Sequence, residues 1–218
     1  MLDFSWLPDA LTVLASGVAT TMGLIVVVTV LGTVLSIAGA AARRSRSKGL
    51  RRAVGAYVEL VRNTPFLVQL FFIFFGLPGL GIRLNAVTAA ILAMTLNMTA
   101  YGIEVVRAGL EAVPKGQGEG GAALGLSRTR VFLSVVLPQA LRVIFPALSS
   151  QIIIILLESA VVSQIAVRDL TYEADLLQSR TFRPFETYLV VTGLYLGLAT
   201  AMRRGMEAGA HRWIFRGR

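Results

Sequence analysis

Pro114–Gln139, PKGQGEGGAALGLSRTRVFLSVVLPQ, is the longest polar, glycine-bearing interruption in an otherwise apolar chain. It carries one carboxylate (Glu119), a cluster of glycines and three basic residues (Lys115, Arg128, Arg130), and it closes on Leu137-Pro138. A chain that is mostly lipid-soluble keeps its turns short. A structured polar segment of this length is therefore read as a contact surface, and the flanking sequence has to say for what.

Outward from it the chain is apolar. Of 218 residues, 55% are hydrophobic and 15% charged, against roughly a quarter charged in soluble domains. Mean hydropathy is +0.71, which moves the chain into the membrane class. There is no cysteine, so disulfide frameworks and thiolate chemistry are excluded. The net charge of +9 is not a nucleic-acid footprint, because the arginines cluster at the ends of apolar runs as membrane flanks do. The opening MLDFSWLPDAL has neither the positive start nor the small-residue cleavage site of a signal peptide. It is read as a short non-cytoplasmic lead with Trp6 at the interface.

A span needs about 20 apolar residues, and five runs qualify, with approximate bounds 11–41, 57–79, 86–112, 143–167 and 186–202 in a single domain, 1–218. The expected class is an all-α membrane protein with five transmembrane helices. Six Lys/Arg (Arg43, Arg44, Arg46, Lys48, Arg51, Arg52) follow the first run, three lie in the polar segment, and five (Arg203, Arg204, Arg212, Arg216, Arg218) lie in the tail. The alternate loops hold only Arg83, Arg168, Arg180 and Arg183. This bias places the N-terminus outside, the C-terminus in the cytoplasm and residues 113–130 on the cytoplasmic face.

The stretch 131–167 is about 55 Å long as a straight helix, too long for a hydrocarbon core of about 30 Å. The expected division lays Ser127–Arg142 along the interface as an amphipathic helix and sends 143–167 into the membrane, with Pro138 and Pro146 as sources of kinks. Glu158, in IIIILLESAVVSQIAV, then sits about 22 Å in. A carboxylate at that depth costs several kcal/mol unless it faces a wet cavity or a partner, so it marks either a substrate pathway or a buried ion pair. Asn97, mid-span in LAMTLNMTAYGIE, serves equally as helix–helix glue or ligand contact. Gln69 and Gln151 complete the candidate pathway residues with weaker signals. Glu59/Arg62 and Glu104/Arg107 share helix faces at i,i+3 and are read as structural pairs. In the polar segment, small residues after Glu119 make a thin face on a short helix ending at Gly125, and Ser127 caps the next helix.

Glu119, the small pair Gly120-Gly121, Gly125, and Val135-x-Leu137-Pro138 resemble the EAA loop of bacterial ABC importer permeases: E-A-A, three residues, Gly, nine residues, an aliphatic, any residue, Leu-Pro. The flanks VRNTPFLVQLFF (61–72), NMTAYGIEVVRAGLEAVPKGQGE (97–119) and LPQALRVIFPAL (137–148) are similar to the polar amino acid permeases that include histidine and glutamine uptake proteins. The resemblance covers nearly the whole chain. It departs at the two alanines, here Gly120 and Gly121, and at LLESAVVS (156–163), where the family usually reads L-K-D-T-S-L-V-S and the lysine is Leu157.

The resemblance implies the MetI-like, type I ABC importer permease fold. It implies a coupling segment made by Glu119, Gly120, Gly121 and Gly125 that docks on a separate ATP-hydrolysing subunit, with Leu137 and Pro138 setting the exit into the membrane. The implied partners are an ABC ATPase dimer, a second permease subunit (identical or paralogous), an extracytoplasmic solute-binding protein, a polar amino acid and the bilayer. No G-x-x-x-x-G-K-[ST] occurs, so ATP and Mg belong to the partner ATPase and no cofactor, metal or catalytic residue is expected here. A secondary amino acid or ion transporter using Glu158 as its coupling site is the rival, and it predicts internal repeats that five spans do not display. An intramembrane enzyme would need convergent catalytic groups, and only Glu158 lies deep in its span.

Overall fold

The computed structural model describes residues 2–213, and all regular structure among them is helical. The first helix, α1 (Leu7–Arg43), accepts Pro8 in its first turn, where no intrahelical donor is required, and runs uncharged from Ala10 to Ala42. It lies along α4 (Ala86–Glu111), the most enclosed helix, whose start is capped by Asn85 Oδ1 accepting from Thr88 N at 2.8 Å. Small residues bring the two backbones together. Gly32, Ser36 and Ala40 recur every four residues on the buried stripe of α1, and a Cβ on Gly102 of α4 would collide with the Ser36 side chain. Close approach through a small-xxx-small stripe is how helices gain packing where lipid supplies no hydrophobic drive.

The second apolar run is not one straight span. It divides into α2 (Lys48–Arg62) and α3 (Phe66–Phe71), and α3 continues through a wide turn, Phe72–Gly76, and a tight one, Leu77–Leu80. The two halves meet at 110°, which corrects the expected continuous helix over 57–79. The cause is Thr64-Pro65: proline has no N–H to continue the ladder and disfavours helical geometry in the residue before it. Side chains add donors to the carbonyls of the last turn before the bend. Asn63 Nδ2 donates to Glu59 O (2.7 Å), Thr64 Oγ1 to Leu60 O (2.8 Å) and Gln69 Nε2 to Val61 O (2.8 Å).

After α4 come α5 (Lys115–Ala123) and α6 (Arg128–Val131), the latter leading through a wide π-type turn, Phe132–Val136, into α7 (Leu137–Glu158) and a tight 3₁₀ stretch, Ser159–Ile165. Residues 128–165 thus form one continuous helical path. The expected break between an interfacial helix ending at Arg142 and a span beginning at Val143 is absent. Pro138 is absorbed in the first turn of α7, where the wide turn before it removes the need for its missing N–H. A short α8 (Leu170–Thr181) and the long α9 (Pro184–Trp213) complete the chain. By length and composition, four helices suit a membrane crossing, or five if the bent α2–α3 pair counts as one.

The principal core joins α1, α3, α4, α7 and the 3₁₀ stretch around Ile25, Leu70, Met94, Met98, Ile155, Leu156 and Val162. A second cluster packs the start of α1 against α8 and α9 through Leu14, Leu170, Leu177 and Val191. The same end of the molecule is tied by Arg183, which pairs with the Asp3 carboxylate and donates to Asp3 O at 3.1 Å. At the other end the last turn of α1 meets α4 and α7 around Ala40, Val106, Ala140 and Ile144.

Candidate functional site: an exposed helix and an unpartnered carboxylate

Helix α5 is held at its ends and at one point between. Pro114 precedes it, and the chain leaves through Gly125, whose φ of +76° is the left-handed conformation that glycine reaches without strain. Gly125 N donates to Ala122 O at 2.9 Å and Leu126 N to Gly121 O at 3.2 Å, satisfying carbonyls at the helix end. Ser127 Oγ then accepts from Arg130 N at 3.4 Å and starts α6. Gly121 is the one buried residue of α5; a Cβ there would lie 3.0 Å from Val131 Cγ2, so α5 folds back on α6 through a bare backbone. The opposite face is open. Glu119 and Gly120 are exposed, and Leu124 stands 83% exposed just beyond the last turn. Leucine and carboxylate thus lie together on a face where a Cβ added at Gly120 meets open space. Leu137 lies deeper, in an apolar groove with Ile37, Leu110 and Ile144, while Pro138 is exposed.

Glu158 is the last residue of α7, where the helix tightens into the 3₁₀ stretch. Its Oε2 is buried and has no hydrogen-bond partner, and no basic side chain pairs with it among the described residues. Leu157, beside it, is half exposed and contributes no charge. The internal ion pair that sequence left open for Glu158 is therefore not formed among the described residues. Gln151, buried on α7, lies seven residues earlier and so on the same helix face.

Asn97 and Gln69 are brought together: Asn97 Nδ2 donates to Gln69 Oε1 at 3.3 Å. Asn97 Oδ1 remains buried without a donor. Gln69 is occupied at the bend, where its Nε2 also reaches Thr64 O at 3.0 Å. The Glu104–Arg107 pair forms at 2.7 Å and extends to Glu111 at 2.6 Å and Arg43 at 3.7 Å. Glu59 and Arg62 do not pair; the Arg62 guanidinium lies over the Tyr101 ring, 5.2 Å from its centroid.

A groove of about 850 Å³ between α7 and α9 was not anticipated; Leu157, Thr171, Tyr195, Arg203 and Glu207 line it, and Glu158 does not. Thr171, Arg203 and Glu207 come from sequence positions read as loop or tail and Tyr195 from within the last span, and only their convergence in space marks them. Beside it, Asp169 is fully buried at the start of α8, accepting from Tyr172 N (2.9 Å) and the Tyr195 hydroxyl (3.3 Å). Burial pushes its carboxyl up to about 6 against those hydrogen bonds.

Residues 32–212 match the family model described as the binding-protein-dependent transport system inner membrane component. The arginine ABC transporter permease ArtQ of Haemophilus influenzae is 34% identical over 206 residues, covering 91% of this chain and 92% of that one. The L-cystine transport system permease TcyB of Bacillus subtilis is 36% identical, covering 77% and 72%. Among solved structures, an amino acid ABC transporter crystallised with histidines superposes with a TM-score of 0.90 at 33% identity, covering 97% of this chain and 99% of that one. The MetNI methionine ABC transporter, inward facing, shares the fold at a TM-score of 0.76 and 21% identity. The chain belongs to the family of binding-protein-dependent transport system inner membrane components, the membrane-spanning permeases of ABC transporters.

Proposed function

We propose that this multi-pass inner-membrane protein is the permease subunit of an ATP-driven importer for polar amino acids. The observation that carries the reading is the match to an arginine permease over nine tenths of both chains, with amino acid permeases on several sides of it. In this reading a solute-binding protein delivers the amino acid to the outer face. Two permease subunits enclose the path, and α5 docks on a separate ATPase pair that holds ATP and Mg. The exposed Glu119–Leu124 face supplies the docking surface, and the arginine-rich ends of α1, α2 and α9 support a cytoplasmic position for it.

Substrate contact is assigned to Glu158, with Asn97, Gln151 and Gln69 on the path wall. Glu158 Oε2 and Asn97 Oδ1 are both buried acceptors without donors, and an α-ammonium brings three donors and a positive charge. A site able to bind substrate more tightly in one orientation of the spans is what lets transport couple to ATP-driven switching.

The deciding experiment reconstitutes the permease in vesicles with its ATPase and binding protein. Uptake of a radiolabelled basic or polar amino acid requires ATP and both partners. Uptake driven by an ion gradient with no ATPase present overturns the reading.

A further inference from the structure

Four guanidiniums converge at the end of α1. Arg43, Arg51, Arg52 and Arg107 line a cleft of about 330 Å³ between the last turn of α1, the start of α2 and the last turns of α4. The local sequence builds it. Ser47 caps α2 four residues after α1 ends and turns Arg51 and Arg52 back toward Arg43. Gly55 leaves room for the Arg43 side chain beneath α2; a Cβ there would lie 2.5 Å from Arg43 Nη1.

The charges in the cleft do not balance. Arg107 is held by Glu104 and Glu111, and Arg43 lies 3.7 Å from Glu104. Arg51 and Arg52 form no ion pair among the described residues. Four cations against two carboxylates leave two positive charges in one confined space, an arrangement that favours a bound anion. Guanidiniums match the two-oxygen geometry of a phosphate.

The surroundings select the source of that phosphate. Arg43 is the first charge after the uncharged stretch of α1 and therefore lies at headgroup depth. Helix α2 beside it exposes Leu50 (46%) and Leu60 (68%), apolar surface that a soluble anion has no use for and that acyl chains cover. We propose that Arg43, Arg51, Arg52 and Arg107 form a binding site for the phosphate of an anionic phospholipid headgroup, clamping α2 to the α1–α4 pair. Basic pockets between spans bind such headgroups in this way. The site adjoins the α4–α5 connection, but its occupancy does not depend on what the permease transports.

The test is lipid retention by the purified full chain, read by native mass spectrometry after exchange into detergent with phosphatidylglycerol, cardiolipin or phosphatidylcholine. The anionic lipids bind and phosphatidylcholine does not. The R51Q/R52Q double variant weakens their binding roughly thirtyfold, the loss expected of two interfacial arginines, while its melting temperature stays at the wild-type value. The charge-matched R46Q/K48Q variant, in the same loop but outside the cleft, keeps lipid binding within about threefold. Equal losses in both variants mean diffuse attraction and overturn the site. Displacement of the lipid by excess inorganic phosphate reassigns the cleft to a soluble anion and overturns the lipid assignment, as does unchanged binding in R51Q/R52Q.

Discussion

Asn97 on α4 donates its Nδ2 proton to Gln69 Oε1 across 3.3 Å, and Gln69 in turn donates to Val61 O and Thr64 O on the far side of the α2–α3 bend. One side chain therefore braces the 110° bend that Pro65 initiates and ties it to the buried helix. Gln69→Leu is of similar size, removes the side-chain donor to Thr64 O and the shortest donor to Val61 O, and takes the acceptor from Asn97. Leaving such groups unsatisfied costs about 1–3 kcal/mol. The expected result is a melting temperature several degrees below wild type and faster proteolysis near Asn63–Pro65. A melting curve superimposable on wild type would show that the bend is held by Pro65 alone.

Asp169 gives the fold a pH dependence with a definite sign. Its carboxyl is raised from 3.8 to about 6 because burial disfavours the charge, although Tyr172 N, Thr171 N and the Tyr195 hydroxyl partly offset this. Folding thus favours the protonated form. The contribution is fully present below about pH 4 and is lost as pH rises through about 6, a change of up to about 3 kcal/mol. Asp169→Asn retains an oxygen able to cap Tyr172 N and removes the titration. Melting temperature measured between pH 4 and 7 should fall with pH in the wild type and run flatter in the variant. Equal slopes in the two proteins would locate the titrating group elsewhere.

How far the fold was legible in sequence depended on whether the signal was local. Ser127 sits just before its helix and caps it as its position implied, and Gly125 ends α5 where its position said it would. The class and the α4 bounds came from hydropathy alone. Where the outline failed most, proline was acting through its neighbours. Pro65 turns the second run by 110°, whereas Pro138 is absorbed without a break, and nothing in an apolar window distinguishes the two. The site was half legible. Glu158 announced itself as a charge in an aliphatic run, but whether it had a partner depended on arginines distant in sequence. Thr171, Tyr195, Arg203 and Glu207 converge only in space.

The two glycines that stand where the resembling loop has alanines are not equivalent. A Cβ at Gly120 meets open space, whereas one at Gly121 lies 3.0 Å from Val131 Cγ2. Gly120→Ala should therefore strengthen α5 by roughly 0.5–1 kcal/mol, visible as slower amide exchange across Lys115–Ala123 with the ATPase still bound. Gly121→Leu should displace α5 from α6 and lose the ATPase on co-purification. If Gly120→Ala and Gly121→Leu exchange alike, α5 is not seated on Val131 in solution.

Gly125 and Glu119 test the docking claim itself. At a φ of +76° a β-branched or bulky residue costs about 1–2 kcal/mol, so Gly125→Val should misdirect the end of α5. Glu119→Lys leaves the backbone untouched and reverses the charge on the exposed face. Both should lower substrate-stimulated ATP hydrolysis in the reconstituted complex at least tenfold, equivalent to about 1.4 kcal/mol of docking energy. Full complex yield with normal stimulated hydrolysis in Glu119→Lys would remove α5 from the interface.

Glu158 separates stability from function. Its Oε2 is buried with no donor, which burdens the resting fold, since an unsatisfied polar group costs about 1–3 kcal/mol and a charged one more. Glu158→Gln keeps the shape and removes the charge. Uptake should fall at least tenfold while the permease still assembles with its ATPase. Glu158→Leu should go further in both directions, raising the melting temperature by several degrees and abolishing transport. A group retained for packing would behave in the opposite way, with the leucine variant less stable and transport reduced only in proportion to the folded fraction. Wild-type uptake by Glu158→Gln at saturating and subsaturating amino acid would end the assignment of Glu158 to the substrate path.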